Sequence, residues 1–129
     1  MEINMKGRFA LITGGSEGLG KAMALGFAQA GADVAIAARR MELLAETRDE
    51  IAQATGQRIM AYSADVSDAQ QVSDLFAKVV ADFGQIDVLV NNAGTSQTGK
   101  FEEVTDETWQ FDIDLKLMAA VRLCRLGLP

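Results

Sequence analysis

Four short apolar segments alternate with four longer stretches of helical period, and this alternation constrains the chain more than any other feature. Residues 8–13 read as a strand, Arg8-Phe9-Ala10-Leu11-Ile12-Thr13. Residues 33–38 read as a second, apolar on both faces from Val34 onward. Residues 59–64 give a third, weaker strand and residues 86–90 a fourth. After the first, residues 18–30 place Leu19, Met23, Gly26, Phe27 and Ala30 on one helical face, with Gly31 as the stop, where a left-handed cap is cheapest. Residues 41–55 form the next helix, with Met41, Leu44, Ala45, Arg48 and Ile51 on one stripe and Gly56 past its end. Val72, Leu75, Phe76, Val79, Val80 and Phe83 define the clearest helix, ended by Gly84. Ser67-Asp68-Ala69-Gln70 ahead of it matches a capping box. Thr105 caps a last helix whose first turn holds Asp106 and Glu107, favourable at the positive end of its dipole. Strands apolar on both faces and separated by helices need helices on each side. The expected fold is therefore α/β, a three-layer, doubly wound parallel sheet of about four strands and four helices.

Composition narrows the functions such a fold can carry. A chain of 129 residues is one domain, spanning 1–129. With 12 basic and 18 acidic side chains the net charge is −6, which repels a phosphate backbone and argues against nucleic acid as a partner. There is no histidine, so Ser-His-Asp and Cys-His catalysis are excluded, and the single cysteine, Cys124, makes neither an internal disulfide nor a zinc cluster. The first residues lack a signal-peptide core, and no apolar run approaches the ~20 residues a membrane span needs. The expectation is a reduced, cytoplasmic protein without a membrane partner.

The glycine-rich stretch Thr13-Gly14-Gly15-Ser16-Glu17-Gly18-Leu19-Gly20 lies between the first strand and the first helix. Gly14-x-x-x-Gly18-x-Gly20 lets the chain turn sharply, approach a diphosphate without Cβ interference and lay the helix close on the sheet. The helix then directs free N–H groups and its partial positive charge at phosphate. Position after a buried strand and before an amphipathic helix favours nucleotide binding over a purely structural turn. The same stretch fits a phosphate-loop pattern, Gly15-x-x-x-x-Gly20-Lys21. Ala22 follows, however, where a nucleoside triphosphatase needs Ser or Thr for magnesium.

Thr13-Gly14-x-x-x-Gly18-x-Gly20 together with Asn91-Asn92-Ala93-Gly94 after the fourth strand resembles the short-chain dehydrogenases/reductases, from about residue 6 to residue 129. These are NAD(P)-dependent oxidoreductases on a Rossmann fold. The resemblance implies reversible interconversion of a small carbonyl compound and an alcohol. It also implies that Gly14, Ser16, Glu17, Gly18, Leu19 and Gly20 line the diphosphate, and that Asp65 and Val66 meet the adenine. By the same resemblance Asn91, Ala93 and Gly94 are expected to form the wall beside the adenine ribose. Each has a plainer alternative: Asp65 as a turn residue before a helix cap, and the Asn-Gly stretch as a sharp strand exit.

A site preferring NAD usually ends its second strand with an acid that binds the ribose 2′-hydroxyl. Here Ala38 stands there, followed by Arg39 and Arg40, and Asp33 sits at the other end of the strand. Guanidinium groups can pair bidentately with a 2′-phosphate, so NADP is favoured, with NAD still possible. The alternative is that the two arginines simply solvate a loop.

The resembled family carries its chemistry on a Ser and a Tyr-x-x-x-Lys pair, and no Tyr-x-x-x-Lys occurs in these 129 residues. The only tyrosine is Tyr62, in the third strand. No catalytic residue is therefore assigned. The chain is expected to bind cofactor without turnover, as the cofactor-binding half of such an enzyme with its sheet cut after the fourth strand. A non-catalytic dinucleotide-binding or dimerisation module is the alternative, and a prematurely ended, inactive product a third. Lys116 takes the position where relatives commonly carry an Asn of the proton relay, or is a lysine snorkelling from an apolar helix. That last helix is apolar almost all round, through Trp109, Phe111, Ile113, Leu115, Leu117, Met118, Val121 and Leu123. This points to a homo-oligomer formed through it, or to burial under further chain. The fourth strand is expected to leave a bare apolar edge, inviting association or poor solubility.

Overall fold

A computed structural model describes residues 3–16, 18–93 and 100–128. Four strands, β1 (Phe9–Thr13), β2 (Asp33–Ala38), β3 (Ile59–Ser63) and β4 (Val88–Val90), form one sheet in the order β3-β2-β1-β4. All neighbours are parallel, with Leu11 level with Ala35 on one side and Leu89 on the other. Parallel pairing follows from the helices between strands, α1 (Gly18–Gln29), α2 (Met41–Thr55) and α3 (Ala69–Phe83), each long enough to cross back over the sheet.

Because successive side chains alternate, the sheet buries two different sets. Ala10, Ile12, Val34 and Ile36 face Ala24 and Ala28 of α1 and Leu44 and Ile51 of α2. Leu11, Ala35 and Ala37 face Val72, Leu75, Val79 and Phe83 of α3, together with Leu115, Ala119 and Leu123 of the last helix. That is the expected three-layer, doubly wound arrangement. The strand order turns at β1: its connection to β2 runs one way and the return from β3 to β4 the other, leaving a crevice beyond the carboxyl end of β1.

Several local expectations need correction. In α1 the buried residues are Gly20, Ala24 and Ala28, while Leu19 is exposed. The helix lies so close to the sheet that only small residues fit at the contact, and the larger apolar ones flank it. In α2 the inward residues are Leu44, Thr47 and Ile51, whereas Met41 is exposed and Arg48 pairs with Asp49 at 3.0 Å. The cap of α3 is Asp68, whose carboxylate accepts from the backbone N–H of Gln70 and Gln71 at 2.9 and 3.1 Å. A charged acceptor at the positive helix end outcompetes the Ser67 hydroxyl expected there. Gly56 and Gly84 end α2 and α3 as expected, and both take the left-handed conformation there.

The last helix begins at α4 (Asp106–Ile113), capped by Thr105, whose hydroxyl accepts from Thr108 N–H at 3.2 Å. It widens into a π turn, Asp114–Met118, and continues as α5 (Ala119–Gly127). Its apolar residues divide: Leu115, Ala119 and Leu123 are buried, while Trp109, Ile113, Leu117 and Val121 form an exposed row. β4 pairs with β1 alone, so its other edge is open among the described residues. No helix of the described residues is long and apolar enough to cross a membrane.

Candidate functional site

A cavity of about 320 Å³ opens at the crevice beyond the carboxyl ends of the strands. Gly14 and Ser16 form its floor, where β1 gives way to the loop before α1. Ala37, Ala38, Arg39 and Arg40 line it from the end of β2, Ala64, Asp65 and Val66 from beyond β3, and Asn92 and Ala93 from beyond β4. Leu115 closes it from the last helix.

Backbone geometry explains the glycines. Gly14 and Gly18 have φ of +71° and +59°, a region that costs most L-residues strain. A Cβ at Gly14 would also press on Asn92 Nδ2 and the Ala93 backbone, at 3.0 to 3.2 Å. Gly20 serves packing rather than lining: its Cβ would fall inside the van der Waals shell of the Gly14 carbonyl oxygen and lie 2.5 Å from Asn92 Nδ2.

Thr13 ties the two sides of the crevice together. It is 1% exposed, and its hydroxyl oxygen accepts from the N–H of Asn92 and of Ala93, each at 3.1 Å, while donating to the Val90 carbonyl at 3.3 Å. Asn92 Nδ2 returns the link by donating to the Gly14 carbonyl at 3.2 Å. On the opposite side, Thr47 of α2 donates to the Ser16 carbonyl at 2.8 Å.

Of the residues singled out from the sequence, Gly14, Ser16, Arg39, Arg40, Asp65, Val66 and Ala93 meet at this cavity. Gly18 and Gly20 shape the loop behind it. Leu19 points to solvent, 69% exposed, and Asn91 turns toward α5, where its Nδ2 donates to Cys124 Sγ at 3.6 Å. Glu17 and Gly94 lie outside the described residues. Arg39 and Arg40 are exposed at the cavity rim, and among the described residues no carboxylate pairs with either guanidinium. Asp33 lies at the far end of β2, where it accepts from Arg58 N–H at 3.1 Å. Asp65 accepts from the backbone N–H and hydroxyl of Ser67, at 3.0 and 2.6 Å, through one carboxylate oxygen. The turn role and the lining role coexist there. Ala37, Ala64 and Leu115 were not foreseen. The strand register was the available signal, since it sets Ala37 beside Thr13 and Ala38 beside Ser63.

Tyr62 and Lys116 stand apart from this chemistry. The Tyr62 hydroxyl donates to Asp82 Oδ2 at 2.5 Å, and burial together with that carboxylate holds its pKa well above the ordinary value. Such a phenol stays protonated well above neutral pH. Lys116 Nζ pairs with Asp112 at 3.0 Å along the widened last helix.

Comparison with known proteins agrees with this geometry. The family model described as short chain dehydrogenase matches residues 8–129. The chain is 42% identical over 120 residues to a probable 2,4-dienoyl-CoA reductase 3 of Caenorhabditis elegans, covering 92% of this chain and 39% of that protein. It is 36% identical to a 2-dehydro-3-deoxy-D-gluconate 5-dehydrogenase of Pseudoalteromonas atlantica, over 96% of this chain and 49% of the relative. Among solved structures, L-sorbose reductase from Gluconobacter frateurii, complexed with NADPH and L-sorbose, superimposes with a TM-score of 0.97 at 40% identity. That match covers all of this chain and 49% of the reductase. The chain thus spans about half or less of the length of these relatives.

Proposed function

Given that the chain belongs to the short chain dehydrogenase family, we propose that it is the cofactor-binding half, a single NAD(P)-binding Rossmann domain over 1–129, of an NADP-preferring oxidoreductase that interconverts a carbonyl and an alcohol. The observation that carries this reading is the chemistry of the cavity rim. Two arginines follow a β2 that ends in Ala38, where an acid would favour a bare ribose 2′-hydroxyl. The residues present fit a dinucleotide. Gly18 has open space where a Cβ would stand, and the N-terminus of α1 presents its positive end to an anion, with the acid Glu17 directly before it in the sequence. The small side chains Ala37, Ala38, Ala64 and Ala93 leave width for an adenosine, with Asp65 and Val66 on its edge. The nicotinamide end, when bound, supplies or takes up hydride. This chain's own share is to grip the diphosphate and to select the 2′ substituent through Arg39 and Arg40.

The NADPH held by the Gluconobacter reductase supports the cofactor choice. The substrate class, a small carbonyl or alcohol compound, is supported by the 2-dehydro-3-deoxy-D-gluconate 5-dehydrogenase and the L-sorbose reductase, whereas the 2,4-dienoyl-CoA reductase acts by its name on conjugated carbon–carbon double bonds. A cytoplasmic setting belongs to the same reading. So does a homo-oligomer through the last helix, supported by the exposed row Trp109, Ile113, Leu117 and Val121. That row also keeps the dimerisation module as a second reading.

The test is cofactor titration. Arg39→Ala should weaken NADPH by about tenfold, as expected for losing a charge-assisted phosphate pair, and leave NADH nearly unchanged. An equal loss for both cofactors would remove the phosphate role.

A further inference from the structure

We infer that Thr47, on α2 and outside the cavity, is a positioning residue for the diphosphate loop. This rests on the cofactor reading above and deepens it. Thr47, like Thr13, is almost fully buried, at 3% exposed, although its side chain is polar. A helical threonine usually satisfies its hydroxyl on its own helix, as Thr55 does by donating to the Ile51 carbonyl at 2.7 Å. Thr47 instead reaches out of α2 to the Ser16 carbonyl, 2.8 Å away and 31 residues back along the chain.

Ser16 lines the cavity floor two residues before Gly18 and the start of α1. Left without its donor, the Ser16 peptide is free to turn its oxygen toward the cavity, where its lone pairs would repel phosphate oxygens. Held by Thr47, the oxygen is engaged on the α2 side and the loop keeps an anion-accepting face. The alternative tie between α1 and α2, Lys21 to Glu50 at 2.7 Å, has both side chains at least 39% exposed and is weakened by solvent and salt. The buried hydroxyl is the screened, directional link. Since the diphosphate is common to both cofactors, Thr47 acts on NADPH and NADH alike, unlike the arginine pair.

The test is titration of the 129-residue chain with NADPH and with NADH, for the unaltered protein, Thr47→Val and Thr47→Ser, alongside urea unfolding of each. Thr47→Val should raise both dissociation constants by about fivefold, the worth of one hydrogen bond, and Thr47→Ser should restore them. Thr47→Ala carries the same test should the valine variant fail to fold. Unchanged affinity in a folded Thr47→Val or Thr47→Ala overturns the positioning role while leaving the cofactor reading intact. A loss confined to NADPH overturns it as well, by assigning Thr47 to the 2′-phosphate end. An unaltered chain that binds neither cofactor overturns the cofactor reading itself, and this inference with it.

Discussion

Replacing Thr13 by valine isolates the contribution of one hydroxyl to the crevice. The substitution preserves shape at a site that is 1% exposed but deletes an oxygen making three hydrogen bonds. Two N–H groups, of Asn92 and Ala93, lose their acceptor, and the Val90 carbonyl loses a donor. A fully buried orphan costs about 1–3 kcal/mol. Asn92 and Ala93 border the cavity and are only half-buried, so water reaches them and the lower end applies. The Val90 carbonyl bond is long at 3.3 Å and adds little. The sum is about 2–3 kcal/mol. Thr13→Ser keeps the oxygen and sheds one methyl, at about 1 kcal/mol. Urea unfolding of both variants, read by linear extrapolation, should place valine below serine by about 1–2 kcal/mol. A valine variant as stable as the serine variant would refute the idea that this hydroxyl fastens the exit of β4 to β1.

Three further outcomes follow from the geometry. Gly20→Ala should destabilise by about 2 kcal/mol or more, since its Cβ meets backbone, whereas Gly18→Ala meets nothing and should cost only about 1 kcal/mol of left-handed strain; urea midpoints in the reverse order would contradict both assignments. Because burial and Asp82 raise the Tyr62 pKa above its unfolded value of about 10, the protonated phenol stabilises the fold fully below that pH, and the contribution fades as pH rises above it; pH-dependent unfolding should show this decline for the unaltered chain and a shallower one for Tyr62→Phe. Leu117→Lys, at a side chain 57% exposed, should leave urea stability within about 0.5 kcal/mol. If a second copy covers the row, sedimentation should shift toward the monomer; an unchanged distribution would assign the row no role in self-association.

What the sequence made legible was the part governed by periodicity and by glycine. The order of elements, the parallel sheet, and the caps at Gly56 and Gly84 follow from patterns each local segment carries itself. The inward face of α1 did not, because close approach to the sheet selects Gly20, Ala24 and Ala28 over the bulkier residues that a hydrophobic stripe picks out. Thr47 broke the apolar stripe of α2 between Leu44 and Ile51, and its hydroxyl finds its reason only in a loop 31 residues away. Part of the cavity wall was equally silent. Alanines at strand ends carry no chemical signature, and Leu115 reaches the site only through tertiary packing. β4 proved shorter than its apolar run: Ile86 and Asp87 precede it, and Asp87 meets Phe9 through its N–H, which donates to the Phe9 carbonyl at 2.8 Å, and its carboxylate, which accepts from the Phe9 N–H at 2.9 Å.

The π turn sets the phase of everything after it. Leu115, Ala119 and Leu123 recur every four residues, and on a regular helix such a series drifts about 40° sideways with each step. The wide turn, in which Ala119 N–H reaches back to the Asp114 carbonyl, absorbs that drift and keeps the series over the sheet. Excising Lys116 would restore uninterrupted α-helix and set Leu115 and Leu123 seven residues apart, within about 20° of one face, so α5 would keep its seat on the sheet without the wide turn.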